Sequence, residues 1–144
     1  MAISVDEAGL SAALATRFVD LARYREVVDM VPVPTLLADS AGLVTHVNTA
    51  YCRLFQVERQ DVLGNGWRRV IRPDDLQRIE LVWDRVVKSG AEEWSSTADF
   101  SAGEVGGFIP CSFRVSKIKS GGYVAFIFPS CGHPVNCPIH GNLL

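Results

Sequence analysis

The first thirty residues carry apolar side chains at helical spacing. Leu10, Leu14, Phe18, Leu21 and Val28 follow one another at steps of three, four and seven, which places them on one face of a helix. The pattern predicts an amphipathic helix over residues 1–30, ended by the prolines that follow it. Its apolar face is expected to pack either on the chain's own sheet or on a second copy of the chain in a dimer, and the pattern leaves both open.

Beyond Pro34 the apolar residues alternate with polar ones, which is the period of a β-strand. Segments 35–38 and 43–47 predict a hairpin, because Asp39 begins and Gly42 ends a short polar turn between them. Three longer alternating segments come later. We expect five strands in all, over residues 35–38, 43–47, 94–100, 108–118 and 122–128.

Helices are predicted between the two groups of strands. Asn48 precedes an apolar-periodic segment and is a good helix cap. Pro73 suits the first position of a longer helix, and Gly90 suits its end. The predicted fold class is therefore α+β: a five-stranded antiparallel sheet with short helices and one longer helix on one face, preceded by the N-terminal amphipathic helix.

Composition narrows the classes of function. The chain has 144 residues, of which 48% are hydrophobic and 21% charged, so one globular domain is expected. A net charge of -2 without long basic runs argues against nucleic acid as a partner. No leader-like or membrane-spanning apolar segment is present, which predicts a cytoplasmic protein with no membrane association and with reduced cysteines.

Three segments in order resemble the PAS domain family over about 100 residues. They are LLADSAGLVTHVNTAYCRLF, VLGNGWRRVIRPDDL and GGYVAFIFP. The resemblance implies a PAS fold over residues 31–129, between the N-terminal helix (1–30) and a C-terminal tail (130–144). It further implies a sensory, signal-transducing module.

Two cofactor chemistries of that family are disfavoured by the residues present. Haem-binding members use a His on or near the long helix, and none occurs between Asp74 and Gly90. Flavin photosensors of the family place a reactive Cys where this chain has Trp67. Cys52 lies in the preceding helix and is expected to be a packed small hydrophobe. The cofactor, if there is one, stays unknown.

A small-ligand cavity is the remaining possibility, and a fully packed core is the alternative. Alternation places several side chains on the inner wall of the sheet, opposite the long helix. The candidate cavity residues are Trp83, Trp94, Ser96, Ala98, Ile109, Cys111, Phe113 and Ile127.

The tail holds a candidate metal site. Cys131, His133, Cys137 and His140 are two thiols and two imidazoles, the ligand set of tetrahedral zinc, although their spacing is more compact than in common zinc fingers. Zinc binding, a redox-active pair and a tail without a site all remain open.

No catalytic constellation can be located, so the chain is predicted not to be an enzyme. The leading hypothesis is a sensor that binds a small ligand or a partner protein and signals through protein–protein contacts. Its partners would be a second copy, bound through the N-terminal helix, and a signalling protein. The alternatives are a ligand-free PAS dimerisation adaptor and a metal or redox switch in the tail.

Overall fold

The structure is a computed structural model that describes residues 23–103 and 106–130. The first described element is helix α1, residues 23–30. The elements that follow, in chain order, are β1 (Thr35–Ala38), β2 (Val44–Val47), α2 (Thr49–Phe55), α3 (Arg59–Val62), a 3₁₀ helix (Gly66–Val70), α4 (Pro73–Ser89), β3 (Glu93–Ser101), β4 (Phe108–Lys117) and β5 (Tyr123–Pro129).

The five strands form one antiparallel sheet in the order β2-β1-β5-β4-β3. Alternation decides which side chains face inward: Cys111, Phe113 and Val115 of β4 are buried, whereas Ser112 and Arg114 between them are exposed. The predicted five-stranded antiparallel sheet with helices on one face is confirmed, and α2, α4 and the 3₁₀ helix pack on its inner face.

The predicted helix boundaries follow local chemistry. Asn48 caps α2, because its side-chain oxygen accepts a hydrogen bond from Tyr51 N at 3.0 Å. Pro73 is the first residue of α4, and Gly90 ends it in the left-handed conformation at φ 67°. Short helices were expected before α4, but the bounds of α3 and the 3₁₀ helix were not predicted, since each has too few residues to show a period.

Helix α1 lies on the outer face of the sheet. His46 of β2 pairs with Leu37 of β1 on that face, and His46 Nε2 donates to Asp29 Oδ1 of α1 at 3.0 Å. Val28 is buried within the single chain. Helix α1, which is the described part of residues 1–30, therefore packs on the chain's own sheet, as in one of the two predicted arrangements.

Several predictions concern residues outside the described ranges. These are the rest of the apolar stripe (Leu10, Leu14, Phe18 and Leu21) and the tail cluster (Cys131, His133, Cys137 and His140). The division into residues 1–30, 31–129 and 130–144 stays a prediction as well. Among the described residues, no helix is long and apolar enough to cross a membrane.

Candidate ligand cavity

A cavity of about 70 Å³ lies between the inner face of the sheet and the helices that cover it. All five strands contribute to its wall, as do α2, α4 and the 3₁₀ helix. The lining residues are Leu36, Gly42, Val44, Tyr51, Trp67, Ile71, Ile79, Trp83, Trp94, Phe100, Phe113, Val115, Tyr123, Ala125 and Ile127.

The lining is aromatic and uncharged. It includes all three tryptophans of the chain. The ring centroids of Trp83 and Tyr123 are 5.0 Å apart, and those of Trp94 and Phe113 are 5.1 Å apart, both in edge-to-face geometry. Such a wall suits a neutral, mostly apolar molecule, because a charged one would lose its hydration without gaining a charged partner.

Two glycines place Trp67 at the cavity. Gly64 pairs with Val44 of β2 through two backbone hydrogen bonds of 2.8 and 3.0 Å. Gly66 approaches the backbone of Asp61 so closely that a Cβ there would lie 2.0 Å from the Asp61 carbonyl oxygen. Gly64 and Gly66 therefore hold the start of the 3₁₀ helix against the sheet edge.

Trp83 joins the long helix to the β1–β2 turn. Its Nε1 donates to the carbonyl oxygen of Gly42 at 3.2 Å. A Cβ at Gly42 would lie 2.9 Å from a methyl group of Val87 and 3.1 Å from Trp83 Nε1, so only glycine fits here without displacement. The cavity wall thus depends on a close contact between the turn and α4.

The beginning of α4 is held to β3 by carboxylates. Asp75 accepts a hydrogen bond from Asp99 N at 2.9 Å, and this bond lowers the pKa of the Asp75 carboxyl. Arg72, just before the helix, forms an ion pair of 3.1 Å with Asp99 and a backbone bond to its carbonyl oxygen. These contacts set the position of α4 over the sheet.

The structure brings half of the predicted cavity residues together at the cavity. Trp83, Trp94, Phe113 and Ile127 line it. The other predicted residues, Ser96, Ala98, Ile109 and Cys111, lie on strands β3 and β4 but not at the cavity wall.

The docking of α4 explains why this part of β3 does not line the cavity. Arg78 of that helix donates to Ser96 Oγ at 3.1 Å and to Thr97 O at 2.8 Å, so the first turns of α4 cover this part of β3. Strand alternation identifies the face on which a side chain lies, but it does not reveal where along that face the helices leave space. Sequence reasoning also missed Tyr51 as a lining residue, although its place on the apolar face of α2 was a usable signal.

The described thiols and the described imidazole are not reactive groups in the cavity. Burial raises the pKa of Cys111 to about 12 and also raises the pKa of Cys52, which keeps both thiols protonated at neutral pH. His46 lies on the opposite face of the sheet, beside Asp29. Within residues 23–103 and 106–130, no three His, Cys, Asp or Glu side chains are grouped closely enough to hold a metal ion.

The sheet order, the helices on one face and the cavity between them invite comparison with known families. A family model described as PAS fold matches residues 22–128. The chain belongs to the PAS family. PAS sensory domains are typically non-enzymatic regulatory modules. Comparison with curated protein sequences found no match.

Solved structures of other PAS proteins share the fold at low sequence identity. A domain of a sensory box sensor histidine kinase/response regulator from Geobacter sulfurreducens is 16% identical, with a TM-score of 0.61 over 77% of this chain and 95% of that chain. The LOV protein of Rhodobacter sphaeroides is 15% identical, with a TM-score of 0.64 over 75% and 66%.

A third similar structure contains a small molecule. It is the PAS domain, in complex with ethanol, of a LuxR-family transcriptional regulator from Burkholderia thailandensis. It is 15% identical, with a TM-score of 0.56, and the match covers 74% of this chain and 96% of that chain. At these identities the likeness shows the common fold alone.

Proposed function

We propose that this PAS domain is a sensor that binds a small, neutral, mostly apolar molecule in the cavity and signals through protein–protein contacts. The observation that carries the proposal is the aromatic cavity itself, because close-packed interiors rarely leave about 70 Å³ unfilled between a sheet and its covering helices. The PAS domain from Burkholderia thailandensis, in complex with ethanol, supports a small neutral ligand for this fold.

Asn48 can transmit a change at the cavity wall to helix α1. This side chain is fully buried and accepts hydrogen bonds from Thr35 N at 2.9 Å and from Tyr51 N at 3.0 Å. Its amide nitrogen donates to carbonyl oxygens at the end of α1, with Val28 O at 3.0 Å and Val33 O at 2.9 Å. Tyr51 lines the cavity, so one residue connects the cavity wall to α1 on the other face.

The exposed side of α1 favours contact with another protein. Val27 is 60% exposed and Met30 is 82% exposed, although both are apolar. A second copy of the chain or a signalling protein that covers them would receive a change in the position of α1. The same surface supports the second candidate function, a PAS adaptor that dimerises without any ligand.

A cavity-filling substitution tests the sensor. We expect native mass spectrometry to show a co-purified neutral molecule on the wild-type protein, or tryptophan fluorescence to respond to ethanol and cyclohexanone. Ala125→Leu should abolish binding, because Ala125 lines the cavity and the longer side chain occupies it. Val124→Leu is the matched control, since Val124 is the preceding residue of β5 and alternation places it on the opposite face.

Thermal unfolding of both variants checks that they fold. A wild-type protein that carries no molecule and responds to neither probe would contradict the sensor function. A stable dimer without ligand would favour the adaptor instead. The tail residues Cys131, His133, Cys137 and His140 are a separate proposal for zinc, which metal analysis of protein purified without chelator tests.

A further inference from the structure

Trp67 carries a buried hydrogen-bond donor without a partner. Its side chain is 8% exposed, and its Nε1 atom is fully buried with no acceptor within reach among the described residues. Trp83 differs, because its Nε1 donates to Gly42 O. Buried polar atoms are almost always paired, so an unpaired indole N–H in a residue that lines the cavity needs a physical account.

An acceptor atom of an organic ligand is favoured over a water molecule as the partner of Trp67 Nε1. A buried water is held by about three hydrogen bonds, and cavities with apolar walls stay dry. The rest of the cavity wall consists of aliphatic and aromatic side chains such as Val44, Ile71 and Phe100. A ligand brings its own apolar body to this wall and needs only one polar partner.

Backbone contacts on both sides of Trp67 fix its position. The paired backbone of Gly64 and the close approach of Gly66 to Asp61 hold the residue from the N-terminal side. On the C-terminal side, Ile71 forms a bridge to Phe100 of β3. A donor held at both ends loses little conformational entropy when it binds an acceptor.

We propose that the cavity selects a small, mostly apolar molecule with one hydrogen-bond acceptor, such as a ketone, aldehyde, ether or alcohol oxygen, and that Trp67 Nε1 donates to that oxygen. The inference rests on the proposed sensor function and adds the ligand's chemical class. Since about 10–15 Å³ of such space holds one water, the body of the ligand has about five to seven non-hydrogen atoms.

A pair of probes with the same shape tests the donor. Cyclohexanone and methylenecyclohexane differ only in C=O against C=CH2. Their dissociation constants are measured by calorimetry for the wild-type protein and for Trp67→Phe. Dehydration of the ketone affects both proteins alike, so the ratio of the two constants isolates the hydrogen bond. We expect Trp67→Phe to shift that ratio by about fivefold against cyclohexanone, the size of one net hydrogen bond.

Trp94→Phe is the matched control, because Trp94 also lines the cavity but is not among the residues with a fully buried, unpaired polar atom. This variant should change the affinities of both probes by the same factor. A second measurement needs no substitution. In the proton–nitrogen spectrum of the wild-type protein, the Trp67 indole proton should move downfield with cyclohexanone and not with methylenecyclohexane.

The outcomes distinguish a failure of this inference from a failure of the proposed sensor function. Binding of both probes with an unchanged ratio in Trp67→Phe, or with a shift only in Trp94→Phe, overturns the ligand class and leaves the sensor standing. An indole proton already hydrogen-bonded without ligand and unmoved by cyclohexanone indicates a bound water and also overturns it. Failure of both probes to bind the wild-type protein contradicts the sensor function together with the inference.

Discussion

The inner face of the sheet packs against its helices through aliphatic and aromatic side chains, whereas the outer face at β1 and β2 is attached to α1 by polar groups. On the inner side, Trp83 and Trp94 surround an unfilled space. On the outer side, Asp29 meets His46 at 3.0 Å and Arg59 at 3.3 Å. Apolar contacts have no preferred direction and tolerate an exchangeable guest, while hydrogen bonds fix one geometry.

The difference suggests a division of labour within the domain. In the proposed function, the inner side recognises a ligand by shape and one donor; the outer side holds α1 in a defined place through the contacts of Asp29. Asn48 is the only residue seen, within the described chain, to hydrogen-bond both the carbonyls at the end of α1 and the backbone of cavity-lining Tyr51. Substitutions on the two sides should therefore have different consequences.

The largest effect is expected at Asn48. Asn48→Ala removes the cap of α2, leaves the buried backbone N–H of Thr35 without its partner, and removes one of the two hydrogen bonds that Val28 O accepts. We expect the free energy of unfolding to fall by about 3 kcal/mol. Urea unfolding measures it, and Gln60→Ala is the control, because Gln60 also carries an amide but is exposed. If the free energy of unfolding fell by less than about 1 kcal/mol in Asn48→Ala, Asn48 would not connect the two sides of the sheet as described.

A smaller effect is expected at the cavity wall. Gly42→Ala should lower the free energy of unfolding by about 2 kcal/mol, because φ is +86° and the new Cβ would lie 2.9 Å from Val87. Gly107→Ala has a similar φ of +80° with open space around it and should cost about 1 kcal/mol. Thermal or urea unfolding of the two variants gives the difference. Equal losses would show that the turn is not in close contact with α4.

The smallest effect is a pH dependence on the outer face. Burial lowers the pKa of His46, and the hydrogen bond and charge of Asp29 offset this only in part; Arg59 and Arg25 lower it further. Because the unfolded chain then binds the proton more tightly, His46 contributes full stability above its unfolded pKa of about 6.5 and loses it as pH falls toward the folded pKa.

His46→Gln keeps a donor for Asp29 and removes the titration. Between neutral and mildly acidic pH, we expect the free energy of unfolding of His46→Gln to fall less than that of the wild-type protein. The difference between the two falls should be smaller than the losses expected for Asn48→Ala and Gly42→Ala. Urea unfolding across this pH range checks it, with carboxylate titration common to both proteins. If the free energy of unfolding changed with pH in the same way in both proteins, His46 would not be the source of the pH dependence.

Much of the fold was predictable because its signals are local. The cap at Asn48, the helix start at Pro73 and the stop at Gly90 each depend on chemistry within a few residues, and all three lie where predicted. Alternation likewise identified the strands to within a residue or two of their observed ends. Only the bounds of α3 and the 3₁₀ helix were not predicted, since segments of four or five residues are too short to show a period.

The candidate site was predictable only in part. Trp83 and Phe113 were expected at the cavity and line it, but Ser96 and Cys111 were expected there and do not. Trp67 was noticed because it stands in place of a cysteine, and nothing in the sequence indicates that its indole nitrogen lacks a partner. His46 and Asp29 lie 17 residues apart, and no local pattern connects them.

By itself, the sequence determined the strands, helices α2 and α4 and the family, because each depends on residue type and spacing along the chain. The tertiary structure alone decided where space is left between sheet and helices, which polar atoms find partners, and how α1 is attached. These depend on the docking of elements far apart in the chain, and docking is set by packing in three dimensions. The cavity and the unpaired donor of Trp67 are consequences of that packing.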